Sequence, residues 1–216
     1  MPQDAGATGG DPSLKCYRAA TLRAMARIRA AQPVKLIVGL LGGDVDLLRR
    51  ARQLLVHEYG NIDLESDFWP FEETDYYAAE MGPGLQRWFL SFERLVRPEA
   101  LVEIKRRTNE LESRIAEQCL SPERPRPVNL DPGYVSLAKL VLATTKDRDH
   151  RVYLGGGIYA EVTLHYRDKA WQAWPWTYAD YRRPEYMAWF ERVRSVYRKQ
   201  SENMTRSTQS GAGEPG

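Results

Sequence analysis

The spacing of apolar positions changes several times along this chain, and each change marks an element. Val34 to Leu41 is a compact apolar run closed by Gly42 and Gly43, the pattern of a buried strand. Asp44 then supplies a good N-cap, and Leu47, Leu48, Ala51, Leu54 and Leu55 recur at helical spacing, predicting a helix through about Tyr59. Ile62, Leu64, Ser66 and Phe68 alternate with Asp63, Glu65, Asp67 and Trp69, which predicts a strand with one wet face. Residues 85–93 predict another strand. Pro98 followed by Glu99 opens a helix through about Gln118, with Leu101, Ile104, Thr108, Leu111 and Ile115 as its core stripe.

A proline-rich loop spans 121–127, and Val128–Leu130 reads as a short strand running into a sharp turn at Asp131-Pro132-Gly133. Residues 136–145 are apolar and fit either a strand or a short helix. Residues 151–154 and 158–166 flank Gly155-Gly156-Gly157, a hairpin pattern. Alternation in its second arm sets Tyr159, Glu161 and Thr163 on one face, with Ile158, Ala160, Val162 and Leu164 on the other. Pro184 opens a last helix to about Lys199, with Met187, Phe190, Val193 and Tyr197 facing inward. The order strand, helix, strand, strand, helix, strand predicts an α/β (α+β) fold: a ferredoxin-like sandwich core with extra C-terminal β-strands and a covering C-terminal helix.

Composition adds boundaries to this scheme. The 216 residues suit one domain, placed at 33–199, between a mobile basic N-terminal extension (1–32) and a disordered tail (200–216). Within the extension, residues 15–31 fit a short basic helix that Gln32-Pro33 would end. A net charge of +2 does not describe a globally basic nucleic-acid binder. Cys16 and Cys119 cannot make a multi-cysteine metal site and read as reduced thiols. With no apolar stretch near the roughly 20 residues of a membrane helix, and no apolar run of a secretory signal, the expected location is cytoplasmic.

Several strings carry a family resemblance: Phe71-Glu-Glu-Thr-Asp-Tyr-Tyr-Ala-Ala-Glu-Met-Gly82, Ile104-Lys-Arg-Arg-Thr-Asn-Glu-Leu-Glu112, Val128-Asn-Leu-Asp-Pro-Gly133, Leu142-Ala-Thr-Thr-Lys-Asp147, His150-Arg-Val-Tyr-Leu154 and Gly157-Ile-Tyr-Ala-Glu-Val-Thr-Leu164. Together, from about Pro33 to Lys199, they resemble the prokaryotic family catalogued as domain of unknown function 4416. The resemblance implies no established activity and transfers no catalytic residue. Some members of that family are labelled GTP-binding. A P-loop, however, needs a Gly-Lys-Ser/Thr ending after a strand, and Leu40-Leu-Gly-Gly-Asp-Val-Asp46 has two acids there and no lysine.

Four groups of residues could carry chemistry. Glu72, Asp75 and Glu80 fall in an acid-rich block and are candidate oxygen ligands for a hard divalent cation, Mg or Mn; a solvated acidic loop is the alternative. Lys105 and Asn109 share a helical stripe with Glu112 and could meet and orient an anion. Asn129, Asp131, Thr145, Lys146, His150 and Arg151 form a polar series, with His150 and Asp131 as acid/base candidates and the cations as phosphate contacts. Tyr159 and Glu161 lie on the polar face of the last hairpin, where Glu161 is a candidate general base. The aromatic set Trp171, Trp174, Trp176, Tyr178 and Tyr181, beside Arg182 and Arg183, either packs the last helix onto the sheet or offers a surface for stacking nucleobases. Two functions follow. One is a small-ligand enzyme or binding protein for a phosphorylated or nucleotide-like substrate, a small anionic ligand, with divalent-metal assistance. The other is a non-catalytic RNA- or protein-binding module.

Overall fold

The computed structural model describes residues 30–72, 78–119 and 125–210. The expected basic helix at 15–31, Cys16, residues 73–77 with Asp75, and 120–124 lie outside the described residues. Everything below concerns the unit formed by residues 32–216.

The described residues form an antiparallel sheet with helices on both faces. Its strands are β1 (Val34–Gly42), β2 (Ile62–Glu65), β3 (Trp69–Pro70), β4 (Gln86–Val96), β5 (Val128–Val135), β6 (Lys139–Thr144), β7 (Val152–Gly155), β8 (Ile158–Arg167) and β9 (Ala170–Ala173). They are ordered β2-β4-β1-β5-β6-β8-β7, with β3 also on β4 and β9 also on β8. The helices are α1 (Val45–Tyr59), α2 (Leu101–Cys119) and α3 (Pro184–Ser210), and residues 78–81 add one helical turn. All of β1 is buried because both of its faces are covered. Leu36, Val38 and Leu40 pack with Leu48 and Leu55 of α1 and with Leu111 and Ile115 of α2. Ile37 packs with Tyr186, Trp189, Phe190 and Val193 of α3.

Local signals account for the helix ends. The Asp44 carboxylate accepts from the N–H groups of Asp46 (2.9 Å) and Leu47 (3.2 Å), satisfying two of the orphan donors that open α1. Pro98 starts a short 3-10 turn that leads into α2, and all five residues of the expected α2 stripe are buried. Unlike the mobile tail expected from Gln200, α3 runs on to Ser210. The reason is visible at Gln200, whose amide donates to the Glu93 carbonyl (2.8 Å) and accepts from the buried Lys35 ammonium (2.9 Å).

Two departures from simple patterning shape the middle of the sheet. Asp131-Pro132-Gly133 is not a turn. It continues β5, opposite Gly39, Val38 and Ile37 of β1. On its other edge β5 pairs with β6 only through Gly133, Tyr134 and Val135. Further up this edge, Leu130 gives its N–H to the Glu112 carboxylate (2.7 Å), and its carbonyl accepts from the Lys105 ammonium (2.9 Å). Strand alternation turns Pro132 to the same edge, where it has no N–H to offer. The two strands therefore part just above Gly133. Below that point they are close: a Cβ on Gly133 would lie 2.3 Å from the Val141 carbonyl oxygen. The second departure is in β8, where Leu140 faces Leu164 but Val141 faces Val162, leaving Thr163 as an extra residue. The expected apolar face of β8 is split by this bulge. Ile158 and Ala160 pack beneath α2, whereas Leu164 joins the α3 cluster.

Candidate functional site: a polar cleft where two strands part

The gap between β5 and β6 opens into a cavity of about 540 Å³, within the usual range for small-molecule sites. Its buried end is built from all three layers. Arg87 comes from β4, Asn129 and Asp131 from β5, Lys105 from α2, and Asp180 and Tyr181 from the turn before α3. These groups are wired together. Arg87 donates to Asp131 Oδ2 (3.2 Å) and to Asp180 Oδ2 (3.3 Å). The Asn129 amide donates to Asp131 Oδ2 (2.6 Å), while its carbonyl accepts from Arg126, which also donates to Glu112 (3.2 Å). Lys105 Nζ lies 3.9 Å from the other Asp131 oxygen.

Charge states follow from these partners. Burial pushes the Asp131 carboxyl up, but Lys105, then Arg87 and Arg126, outweigh it and hold it below the ordinary carboxylate range. Glu112 is raised, because burial outweighs the favourable Lys105, Arg126 and Leu130 N–H. Burial also works against the Arg87 charge, yet Asp180 and Asp131 keep it firmly protonated. Burial raises the Tyr181 hydroxyl well above its usual value, so it is neutral. Two donors at this end, Arg87 Nε and the Tyr181 hydroxyl, are buried without a hydrogen-bond partner among the described residues.

The cavity mouth is set by the segment after β6. Thr145, Lys146 and Arg148 line it and are exposed. The acids interleaved with them do not line it: Asp147 hydrogen-bonds the Tyr159 hydroxyl, and Asp149 lies 3.0 Å from His150 Nδ1. The loop thus sorts its charges, cations toward the cavity and acids away. Among the described lining residues, six are basic (Arg87, Lys105, Arg126, Lys146, Arg148, Arg151) and three are acidic (Asp131, Glu161, Asp180).

Of the residues expected from sequence, the cleft gathers Lys105, Asn129, Asp131, Thr145, Lys146, Arg151 and Glu161. Glu161 has little capacity left for acid/base work. Its oxygens accept from Arg151 Nε (2.8 Å) and Thr163 Oγ1 (3.2 Å), and His150 Nε2 lies at 3.3 Å. Its evident role is to anchor Arg151, which also donates to the Lys146 carbonyl (2.8 Å) and the Tyr178 hydroxyl (2.7 Å). His150 stands behind Glu161, stacked on Trp176 at 5.7 Å, and does not line the cavity. Neither does Asn109, whose neighbours Lys105 and Glu112 turn toward β5, nor Tyr159, which packs on Tyr153. Glu72 and Glu80 are exposed and outside the lining, and Asp75 is outside the described residues. Among the described residues no three His, Cys, Asp or Glu side chains gather as a metal site.

The aromatic segment divides. Trp171 and Tyr181 are core residues under α3. Trp174 and Trp176 stack on each other at 5.1 Å. Arg182 spends its guanidinium on the carbonyls of Thr177, Trp174 and Pro175. Of the basic-aromatic surface expected of an RNA-binding module, Trp176, Tyr178 and Arg182 stay exposed, while Trp171 and Tyr181 are buried.

Arg87, Arg126, Arg148 and Asp180 are lining residues that sequence reasoning did not single out. Arg87 carried a signal: a lone charge in the largely apolar run 85–92, on the same face of β4 as Phe89 and Ser91.

Fold and site together define an α+β protein with a cationic cleft cut through the middle of an antiparallel sheet. The chain belongs to the family described as domain of unknown function (DUF4416), whose model matches residues 32–197. No curated protein and no solved structure matches it. No helix among the described residues is long and apolar enough to cross a membrane.

Proposed function

We propose that this protein binds a small phosphorylated or nucleotide-like anion in the β5–β6 cleft, as an enzyme's substrate or a carried ligand. The observation that supports this reading best is the sorted loop: Lys146 and Arg148 line the mouth while Asp147 and Asp149 are held elsewhere. Among the described lining residues six are basic and three acidic, a balance that favours anions. Arg151, fixed by Glu161, and the Thr144 and Thr145 hydroxyls supply directed donors beside that charge.

The test is a thermal-shift screen of nucleotides and sugar phosphates, each with and without Mg or Mn. A ligand at about 100 times its Kd adds roughly 2.7 kcal/mol of stability. For a chain of this size that corresponds to a rise of roughly 5–10 °C. The metal arm reads divalent assistance directly. No shift with any anion at millimolar concentration overturns the reading.

A further inference from the structure

The two ends of the sheet are finished differently. At one end, β2 alternates apolar with charged residues. Its Asp63 turns inward to the buried Lys35 and to Ser91, and its Glu65 is held by Arg52. Charges placed in this way keep an edge strand from pairing with another chain. At the other end, β7 pairs only with β8 among the described residues. It reads Val152-Tyr153-Leu154-Gly155, with no charge and no proline. Its three apolar side chains are 67%, 58% and 43% exposed. The one irregularity, an extra residue at Leu154, adds apolar surface rather than a charge.

Val152 stands opposite Ala160, which packs with Leu101 of α2, so the apolar floor under α2 runs on past its last covered strand. An added strand would satisfy the open main-chain edge and give these side chains cross-strand neighbours. A second copy of this chain meets both needs. An antiparallel pair about a two-fold axis sets β7 against itself, one uncharged strand against another. The charges at the rim are complementary under the same axis, because the start of β7 in one copy comes beside its end in the other. Ahead of the start stands Asp149, whose side chain is 98% exposed. Beside the end stands Arg106 of α2, 58% exposed, with its Cδ 3.9 Å from the place a Cβ on Gly156 would take. Their contacts within the chain, His150 at 3.0 Å and Glu103 at 3.5 Å, leave both side chains open to solvent. Each copy thus offers an acid to the base of the other, twice per pair.

We infer that two copies of this chain join edge to edge through β7, as an antiparallel pair about a two-fold axis, with Asp149 of each copy set against Arg106 of the other. The sheet then runs unbroken through both copies. The segment that carries Arg148 at the cleft mouth leads directly into β7, so each mouth lies beside the interface. A strand of four residues makes a small interface, and the affinity expected is micromolar.

Sedimentation equilibrium of the full chain over about 1–500 μM reads the association. The mean mass should rise with concentration from one chain toward two. Val152→Lys, at a side chain 67% exposed, should hold the chain at the monomer mass and leave its melting temperature unchanged. Asp149→Arg and Arg106→Asp should each weaken pairing about tenfold, since each sets two like charges across the axis, and the two together should restore it. Recovery in the double variant requires that one copy face another. A chain that stays monomeric across the range overturns the inference, even if β7 takes up a peptide or a lipid vesicle instead. So does a dimer that Val152→Lys leaves intact. Pairing weakened in the single variants and not regained in the double overturns the two-fold arrangement.

Discussion

Arg87→Met tests the electrostatic frame of the cleft directly. The parent side chain is 3% exposed and bridges two carboxylates, Asp131 at 3.2 Å and Asp180 at 3.3 Å. Methionine keeps much of the volume but removes the cation. Removing one partner from a buried ion pair costs about 3–5 kcal/mol, because the remaining charge stays desolvated. Here two acids are affected, but Asp131 retains Asn129 at 2.6 Å and Lys105 at 3.9 Å. The expected loss is therefore about 4 kcal/mol at pH 7, or roughly 8–16 °C in melting temperature. The sign of the pH dependence is a second check. In the parent, the folded Asp131 lies below its unfolded value of about 3.9. Its contribution is present above that value and is lost only as pH falls through the folded one, so in the parent Asp131 itself adds no pH dependence between about pH 7 and 5. In the variant, uncompensated burial raises the carboxyls, and the folded state takes up protons that the unfolded chain does not. The variant should thus gain on the parent as pH falls from about 7 to 5. Urea melts at both pH values measure this. A deficit below about 1 kcal/mol at pH 7, or one that is the same at both, refutes the reasoning.

Two further perturbations address the frame around the site. Gly133→Ala places a Cβ 2.3 Å from the Val141 carbonyl, so it should cost about 1–3 kcal/mol in chemical denaturation; a neutral result would show that the β5–β6 approach is looser than described. Asp44→Ala removes acceptors from two N–H groups of α1 and should cost about 1 kcal/mol in the same assay, with Asp44→Asn recovering most of it.

Much of the scaffold was legible in sequence because the deciding signals are local. Asp44 caps the helix it was expected to cap, and the stripe Leu101, Ile104, Thr108, Leu111 and Ile115 is buried as its spacing implies. Where the sequence misled, the deciding term came from a distant part of the chain. Asp131-Pro132-Gly133 has every local property of a turn, yet two flanking partners hold it extended: β1 along one edge, and Lys105 and Glu112 of α2 at Leu130. The strict alternation expected of β8 fails at Thr163, since a bulge leaves no mark in composition. For the site, Lys105, Asn129, Asp131, Thr145, Lys146, Arg151 and Glu161 were named in advance and converge. His150 was chosen for rarity, which says nothing of direction, and it faces the back of Glu161. Asp180 was not singled out because nothing in its own segment shows that it meets Arg87, far away in the chain.

In a protein with helices on both faces, the sheet ordinarily insulates one helical layer from the other. Its main chain is saturated with its own hydrogen bonds and offers no passage. The early parting of β5 and β6 makes a window in that wall. Lys105, carried by α2, and Asp180, carried by the turn before α3, border one and the same cavity through it. Asp131, in contact with Lys105 and with the Arg87 that holds Asp180, is the pane they share. A change of charge on either side of the sheet is therefore felt on the other without any strand having to move.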